Sequence, residues 1–152
     1  MKFTLLCLFF FSSCTKWHEL FTPVGRGPDE ILKSFLHLSA GVKGAEDKKK
    51  LEGMCSGELR RAFERMSDEM FKLSYQNSQI EIKDLKFTEN EVKGDGARLV
   101  YRVSIDNRQG TELTHETAER EVEMIRIQGT WFLDSIRARG SDQIAFTRGI
   151  IF

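Results

Sequence analysis

Cysteine, proline and net charge are all scarce in this chain, and each shortage removes a class of explanation. Three cysteines among 152 residues are too few for a disulfide-built scaffold. Two prolines leave most of the backbone free to form regular elements. The 23 basic and 23 acidic side chains cancel, so the basic footprint of a nucleic-acid binder is missing. The run Lys48-Lys49-Lys50 reads as a solvated helix face rather than a membrane-surface patch. There is no Cys/His cluster at zinc spacing, no phosphate-cradling glycine loop, no nucleophile elbow and no dinucleotide fingerprint. No metal and no cofactor are therefore expected. With 40% hydrophobic and 30% charged residues, the chain fits one globular domain around one core.

The first residues are different in kind. Lys2 precedes a nearly unbroken apolar stretch from Phe3 to Phe11, and the small residues Ser12 and Ser13 follow. That pattern predicts a signal peptide over residues 1–13. The stretch is far short of the roughly 20 apolar residues that span a bilayer. Phe11-Ser12-Ser13-Cys14 resembles a bacterial lipobox, with Phe where Leu is usual. The resemblance makes Cys14 the residue that is acylated with palmitate-type lipid and becomes the mature N-terminus. Thr15 after it, rather than Asp, resembles lipoproteins sent to the outer membrane. The expected location is the bacterial cell envelope, lipid-anchored and facing the periplasm. Without Lys2 the 23 basic side chains become 22 against 23 acidic ones, a formal −1. Cys7 leaves with the signal peptide and Cys14 carries lipid, so Cys55 stands alone and is expected to pack as a small hydrophobe.

Residues 14–27 then read as the lipidated cysteine and a tether, in which Trp17, Leu20, Phe21 and Val24 suit either a membrane interface or packing on the domain. Pro28 followed by Asp29 and Glu30 marks a helix start. Ile31, Leu32, Phe35 and Leu36 share one helical face, and Gly41 is a stop. Leu51, Cys55, Leu59, Phe63, Met66 and Met70 recur at helical steps, interrupted by Gly53 and Gly57, with Ser56 and Ser67 as caps. Short consecutive helices are predicted.

From residue 78 the period becomes two. Ile80, Ile82, Leu85 and Phe87 predict a strand with an irregularity near Lys83-Asp84, and Lys93-Gly94-Asp95-Gly96 a turn. Ala97, Leu99, Tyr101, Val103 and Ile105 predict a second strand, with Val100 out of phase. Asn107 to Thr117 reads as a polar connection. In a third strand, Val122 and Met124 face opposite to Ile125 and Ile127, which a bulge near Met124 would reconcile. Gln128-Gly129-Thr130 turns into a fourth strand with Trp131, Leu133 and Ser135. Helices followed by a curved four-stranded antiparallel sheet make an α+β domain over residues 28–139.

This order resembles the nuclear-transport-factor-2-like superfamily, the cystatin-like cone fold, and in particular small bacterial lipoproteins with such a domain of unknown function. The resemblance rests on the Ile31–Leu36 helix, the Leu51–Met70 region, Gly96-Ala97-Arg98-Leu99-Val100-Tyr101 and Gly129-Thr130-Trp131-Phe132-Leu133. It implies a helix-covered cone. Isomerases and dehydratases of the superfamily place a carboxylate, histidine or tyrosine inside it. The candidates here are His37, Tyr101, His115 and Asp134, of which Tyr101 and Asp134 are the catalytic candidates carried forward. Period two places Asp134 on the face opposite Trp131, with Phe132 and Ile136. If that face lines the cone, Asp134 is a buried carboxylate suited to proton transfer; otherwise it pairs with Arg137, Arg139 or a neighbouring strand. His37 and His115 are expected at the surface. Arg60-Arg61 and Glu119-Arg120-Glu121 read as solvated faces.

Residues 140–152 form a tail ending Ile150-Ile151-Phe152, which must bury its apolar end, dock on a partner or fray. The expected function is a membrane-anchored, non-enzymatic binding or scaffolding module. An isomerase- or dehydratase-like enzyme and a homodimerising assembly factor are the alternatives. The expected partners are the membrane, through the anchor, and a second copy or an envelope protein, with no nucleic acid.

Overall fold

Pro28 opens α1 (Pro28–Ala40), with Asp29 and Glu30 in its positively polarised first turn. The computed structural model describes residues 25–77, 79–142 and 151–152. The expected signal peptide, Cys14 and nearly all of the tether lie outside them. Ile31, Leu32, Phe35 and Leu36 form the buried stripe of α1, and the Gly41 amide closes its end on the His37 and Leu38 carbonyls. The glycine interruptions then divide the chain as expected into α2 (Ala45–Gly53), α3 (Gly57–Arg65) and α4 (Asp68–Gln76). Ser67 caps α4, its hydroxyl accepting from the Met70 amide at 3.1 Å.

Four strands follow: β1 (Gln79–Lys93), β2 (Gly96–Gln109), β3 (Glu112–Ile127) and β4 (Thr130–Ala138). They pair in sequence order as an antiparallel meander. The fold is α+β, helices before sheet. Gln128 and Gly129 both take positive φ, 50° and 83°, the backbone of the two-residue turn whose twist matches a hairpin. The polar connection expected over 107–117 is instead strand on both sides of a tight turn. Asn107 pairs with Thr114 and Gln109 with Glu112. Ladder bonds need only backbone, and this arm of the hairpin is exposed on both faces, so no apolar alternation marks it.

Three irregularities set which side chains face the helices. In β1 the register skips Lys83 and Thr88, the first at the irregularity read from sequence. Between β3 and β4, Glu123 faces Ser135 and Met124 faces Leu133. The register shifts beside Met124, but the extra residue is Asp134 of β4; β3 itself keeps its alternation, with Val122 and Met124 buried and Ile125 and Ile127 exposed, so no bulge reconciles their faces. The core beneath the helices gathers Ile31, Phe35, Leu59, Phe63, Leu99, Tyr101, Leu133 and their neighbours. Phe35 meets Phe63 edge-on at 6.4 Å, and Phe71 stacks on Tyr75 at 4.6 Å. Cys55 is buried among them, its thiol donating to the Leu51 carbonyl. Burial pushes that thiol well above its ordinary value, so it behaves as the small hydrophobe expected.

Candidate functional site

Tyr101 lies on the helix-covered face of β2, fully buried. Directly opposite it across the ladder is Arg120 of β3, so the two side chains rise from the same face as close neighbours. The tyrosine hydroxyl donates to the backbone oxygen of Ile151. The arginine Nη2 donates to the backbone oxygen of Phe152 at 2.8 Å, and its Nη1 to that of Glu119 at 3.2 Å. Ile151 and Phe152 are themselves buried, at 0% and 3% exposure, and join the core. Of the fates open to the tail's apolar end, burial within its own domain is the one observed.

Arg120 was expected on a solvated face, and the structure corrects this: its guanidinium is half-buried and reads the Phe152 backbone. The signal was present in the pattern. Val122 and Met124 face inward, and two steps back along β3 the same face carries Arg120. Burial drives the Tyr101 phenol well above its ordinary value, with Arg120 a lesser opposing influence. The hydroxyl therefore keeps its proton and acts as a donor, not as a base.

Asp134 is placed differently from the expectation. The bulge breaks period two at this residue, and Ile136, beyond it, is in the core with Trp131 and Leu133. Asp134 itself is half-buried at the junction of α2 and α3, where it accepts from the Ser56 hydroxyl at 3.0 Å. The Ser56 amide donates to the Leu133 carbonyl at 2.7 Å, and the Leu133 amide to the Met54 carbonyl at 3.0 Å. Gly57 packs so close that a Cβ there would lie 2.1 Å from Asp134 Oδ1. The carboxylate thus sits at the start of α3, where the helix dipole favours a negative charge. The proposed arginine partners are engaged elsewhere: Arg137 with Glu123 at 3.8 Å, Arg139 with Glu89 and Glu119. Asp134 makes no ion pair among the described residues.

Neither His37 nor His115 enters the core. His37 is exposed on α1. His115 lies on β3 rather than in a loop, with its side chain 74% exposed, and pairs through Nδ1 with Asp106. Asp106 also meets Lys83 at 3.3 Å; burial pushes its carboxyl up, but His115 and Lys83 together outweigh that and hold it below the ordinary value. Beside them an open depression of about 250 Å³ is lined by Gln79, Ile80, Glu81, Asp106, Arg108 and Leu113. Tyr101 and Asp134 are therefore not brought together. No group of His, Cys, Asp and Glu among the described residues is arranged to hold a metal. None of the described helices is long and apolar enough to cross a membrane.

No family model matches the chain, and no curated protein matches it. Solved structures do. The intermembrane space region of the chloroplast protein ARC6 superposes with a TM-score of 0.56 at 10% identity, covering 72% of this chain and 92% of that one. What is shared is the fold. A SEC-C motif protein from Rhodopseudomonas palustris covers 78% of this chain and 96% of its own at 13% identity, with a TM-score of 0.46.

Proposed function

We propose that this chain is a lipid-anchored envelope protein whose domain, a cone of the nuclear-transport-factor-2-like kind, binds or scaffolds rather than catalyses. The observation that carries the reading is the state of Tyr101. A catalytic phenol must meet a substrate, whereas this one is fully buried, protonated and committed to the Ile151 backbone. The second catalytic candidate, Asp134, is engaged by Ser56 beside α3, a placement suited to holding a helix. The family reading is supported by the order of helices and four-stranded meander, with Gly129-Thr130-Trp131 leading into the last strand.

The anchor is supported by the apolar run from Phe3 to Phe11, by Ser12-Ser13-Cys14, and by Thr15 for an outer-membrane destination facing the periplasm. Expression of the full chain in a Gram-negative host fed an alkynyl palmitate tests the address. The wild type is expected to take up label and sediment with membranes, and Cys14→Ser to lose both. Unlabelled wild type, or Cys14→Ser that still carries lipid, would overturn it. The non-catalytic half is tested by Asp134→Asn, which is expected to lower the melting temperature. A variant melting like the wild type would return that carboxylate to the list of catalytic groups.

A further inference from the structure

The strands of the meander differ in length, and the difference leaves an open step. β2 pairs with β3 from Glu112 to Ile125, whereas β4 pairs with it only from Arg120 to Ile127. Beyond β4 the chain turns at Gly140, φ 77°, with the Ser141 amide closing on the Ala138 carbonyl. From Glu112 to Ala118, β3 therefore has a partner strand on one side alone among the described residues. Residues 112–117 are all exposed. Alternate residues of an antiparallel ladder turn their amide and carbonyl to opposite sides. The Glu119 carbonyl accepts from the Arg139 amide, on the β4 side, so Leu113, His115 and Thr117 aim theirs the same way, into the step. No proline, lysine or bulge guards this stretch as such edges usually are guarded.

We infer that this step is a pairing surface for the same stretch of a second copy of the chain, joined antiparallel about a twofold axis at His115. One register lets all three residues bond: His115 lies opposite the partner's His115, and Leu113 opposite the partner's Thr117. Each copy's three free amides then meet the other's three carbonyls. The side chains choose the same register. In it Thr114 faces Glu116 and Glu112 faces Ala118, so no carboxylate opposes another directly. Slipping one way sets Glu116 against Glu116, and slipping the other way sets Glu112 against Glu116. On the opposite face each His115 is held by its own Asp106, so the facing imidazoles lie between two carboxylates. Each chain offers one step, and the twofold closes both, giving a dimer with one continuous sheet rather than an open fibre. The contact is small and belongs to the transient class of interfaces.

The test places single cysteines in the full chain and oxidises the detergent-solubilised protein with copper phenanthroline. Across the twofold the Cα atoms of the two 115 positions lie about 5.5 Å apart, within disulfide range. Two copies of position 113, or of position 117, are offset along the strands by roughly 13 Å, out of range. His115→Cys is expected to run as a covalent dimer on a non-reducing gel. Leu113→Cys and Thr117→Cys should each stay at the wild-type baseline, and a mixture of those two variants should crosslink. Adding Leu113→Pro to His115→Cys removes one free amide while sparing the β2 ladder, and should abolish the dimer band. If that variant does not melt cooperatively, Leu113→Lys with Thr117→Lys, which sets cation against cation across the twofold, should bring the same loss. No His115→Cys dimer above baseline, equal dimer at all three positions, a mixture that does not crosslink, or a dimer that survives the edge-breaking variant would overturn the proposal. Lipid labelling at Cys14 is read separately, so a failed dimer and a failed anchor are told apart.

Discussion

Leu99 and Val100 are adjacent on β2 and both fully buried, but they are sealed by different means. Leu99, like Tyr101 and Val103, lies under the helices in the continuous apolar core. Val100 points the other way and stands outside that core. Its ladder partners are Glu89 and Glu121, and Arg98 holds both. Arg98 Nε donates to Glu121 Oε1 at 2.7 Å, Nη2 to Oε2 at 2.8 Å, and Nη1 to Glu89 Oε2 at 2.9 Å. Arg139 extends the array from Glu89 to Glu119. The aliphatic stems of such side chains cover apolar surface while their heads stay hydrated. The inner face of the sheet thus excludes water with hydrocarbon, whereas around Val100 the outer face carries an array of charges whose members would each be read alone as solvated.

The sharpest way to break this comparison is to hollow the first face. Leu99→Ala is expected to lower unfolding free energy by about 2–5 kcal/mol in urea melts, the range for deleting a fully buried leucine. A loss under about 1 kcal/mol would mean that the core collapses onto the gap and is less specifically packed than its burial implies. Gly57→Ala comes next. Its φ of +49° lies in the left-handed region and its Cβ would collide with Asp134, so the expected loss is about 1–3 kcal/mol. Adding Asp134→Ala to that variant should recover part of it, and a purely additive pair would disprove the contact. Asp134→Ala alone should cost about 0.5–2 kcal/mol by thermal melt, the scale of a lost helix-start interaction.

The charged face should give the smallest effects, and salt-sensitive ones. Arg98→Ala is expected to shift the melt less than any change above, with the shift shrinking further as sodium chloride is raised. Its pH dependence has a definite sign. The Arg98 hydrogen bonds, aided by nearby charge and opposed by burial, hold the Glu121 carboxyl below its ordinary 4.5. A lowered folded-state value stabilises the fold at pH above the ordinary one and loses that contribution as pH falls through the lowered one. Wild type and Arg98→Ala should therefore differ most near neutral pH and converge in acid. A difference that grows below pH 4.5 would contradict the pairing.

What could be read from sequence divides along the same line. The α1 stripe, the glycine breaks and the inward residues of β2 all followed from period and turn chemistry, because hydrocarbon burial leaves a periodic trace. The hairpin arm from Asn107 to Thr117 did not, because backbone pairing in water imposes no side-chain pattern. Ile136 was misplaced because one extra residue in a ladder, Asp134, reverses every face assignment beyond it. Ser56 was expected to cap α3, but its hydroxyl makes no capping bond and instead donates to Asp134, 78 residues away, a pairing no local pattern announces. Arg120 lay within reach of the period-two reading, and its charge drew attention outward. The seat of Ile151 and Phe152 was not legible, since no local pattern says where an apolar segment will dock.

The bulge at Asp134 and the junction beside it also bear on how the protein behaves in a crowded solution. A four-stranded meander has two free margins, and an unpaired margin invites another chain to add a strand. On β4 both the amide and the carbonyl of Leu133 are already occupied, by Met54 and Ser56, and the extra residue interrupts the ladder. On β1 the register skips twice, and the strand carries Lys83–Glu81, Lys86–Asp84 and Lys93–Glu91 ion pairs along its length. Both margins are spoiled as templates, so edge-to-edge aggregation through this sheet is disfavoured even where the local concentration of neighbouring copies is high.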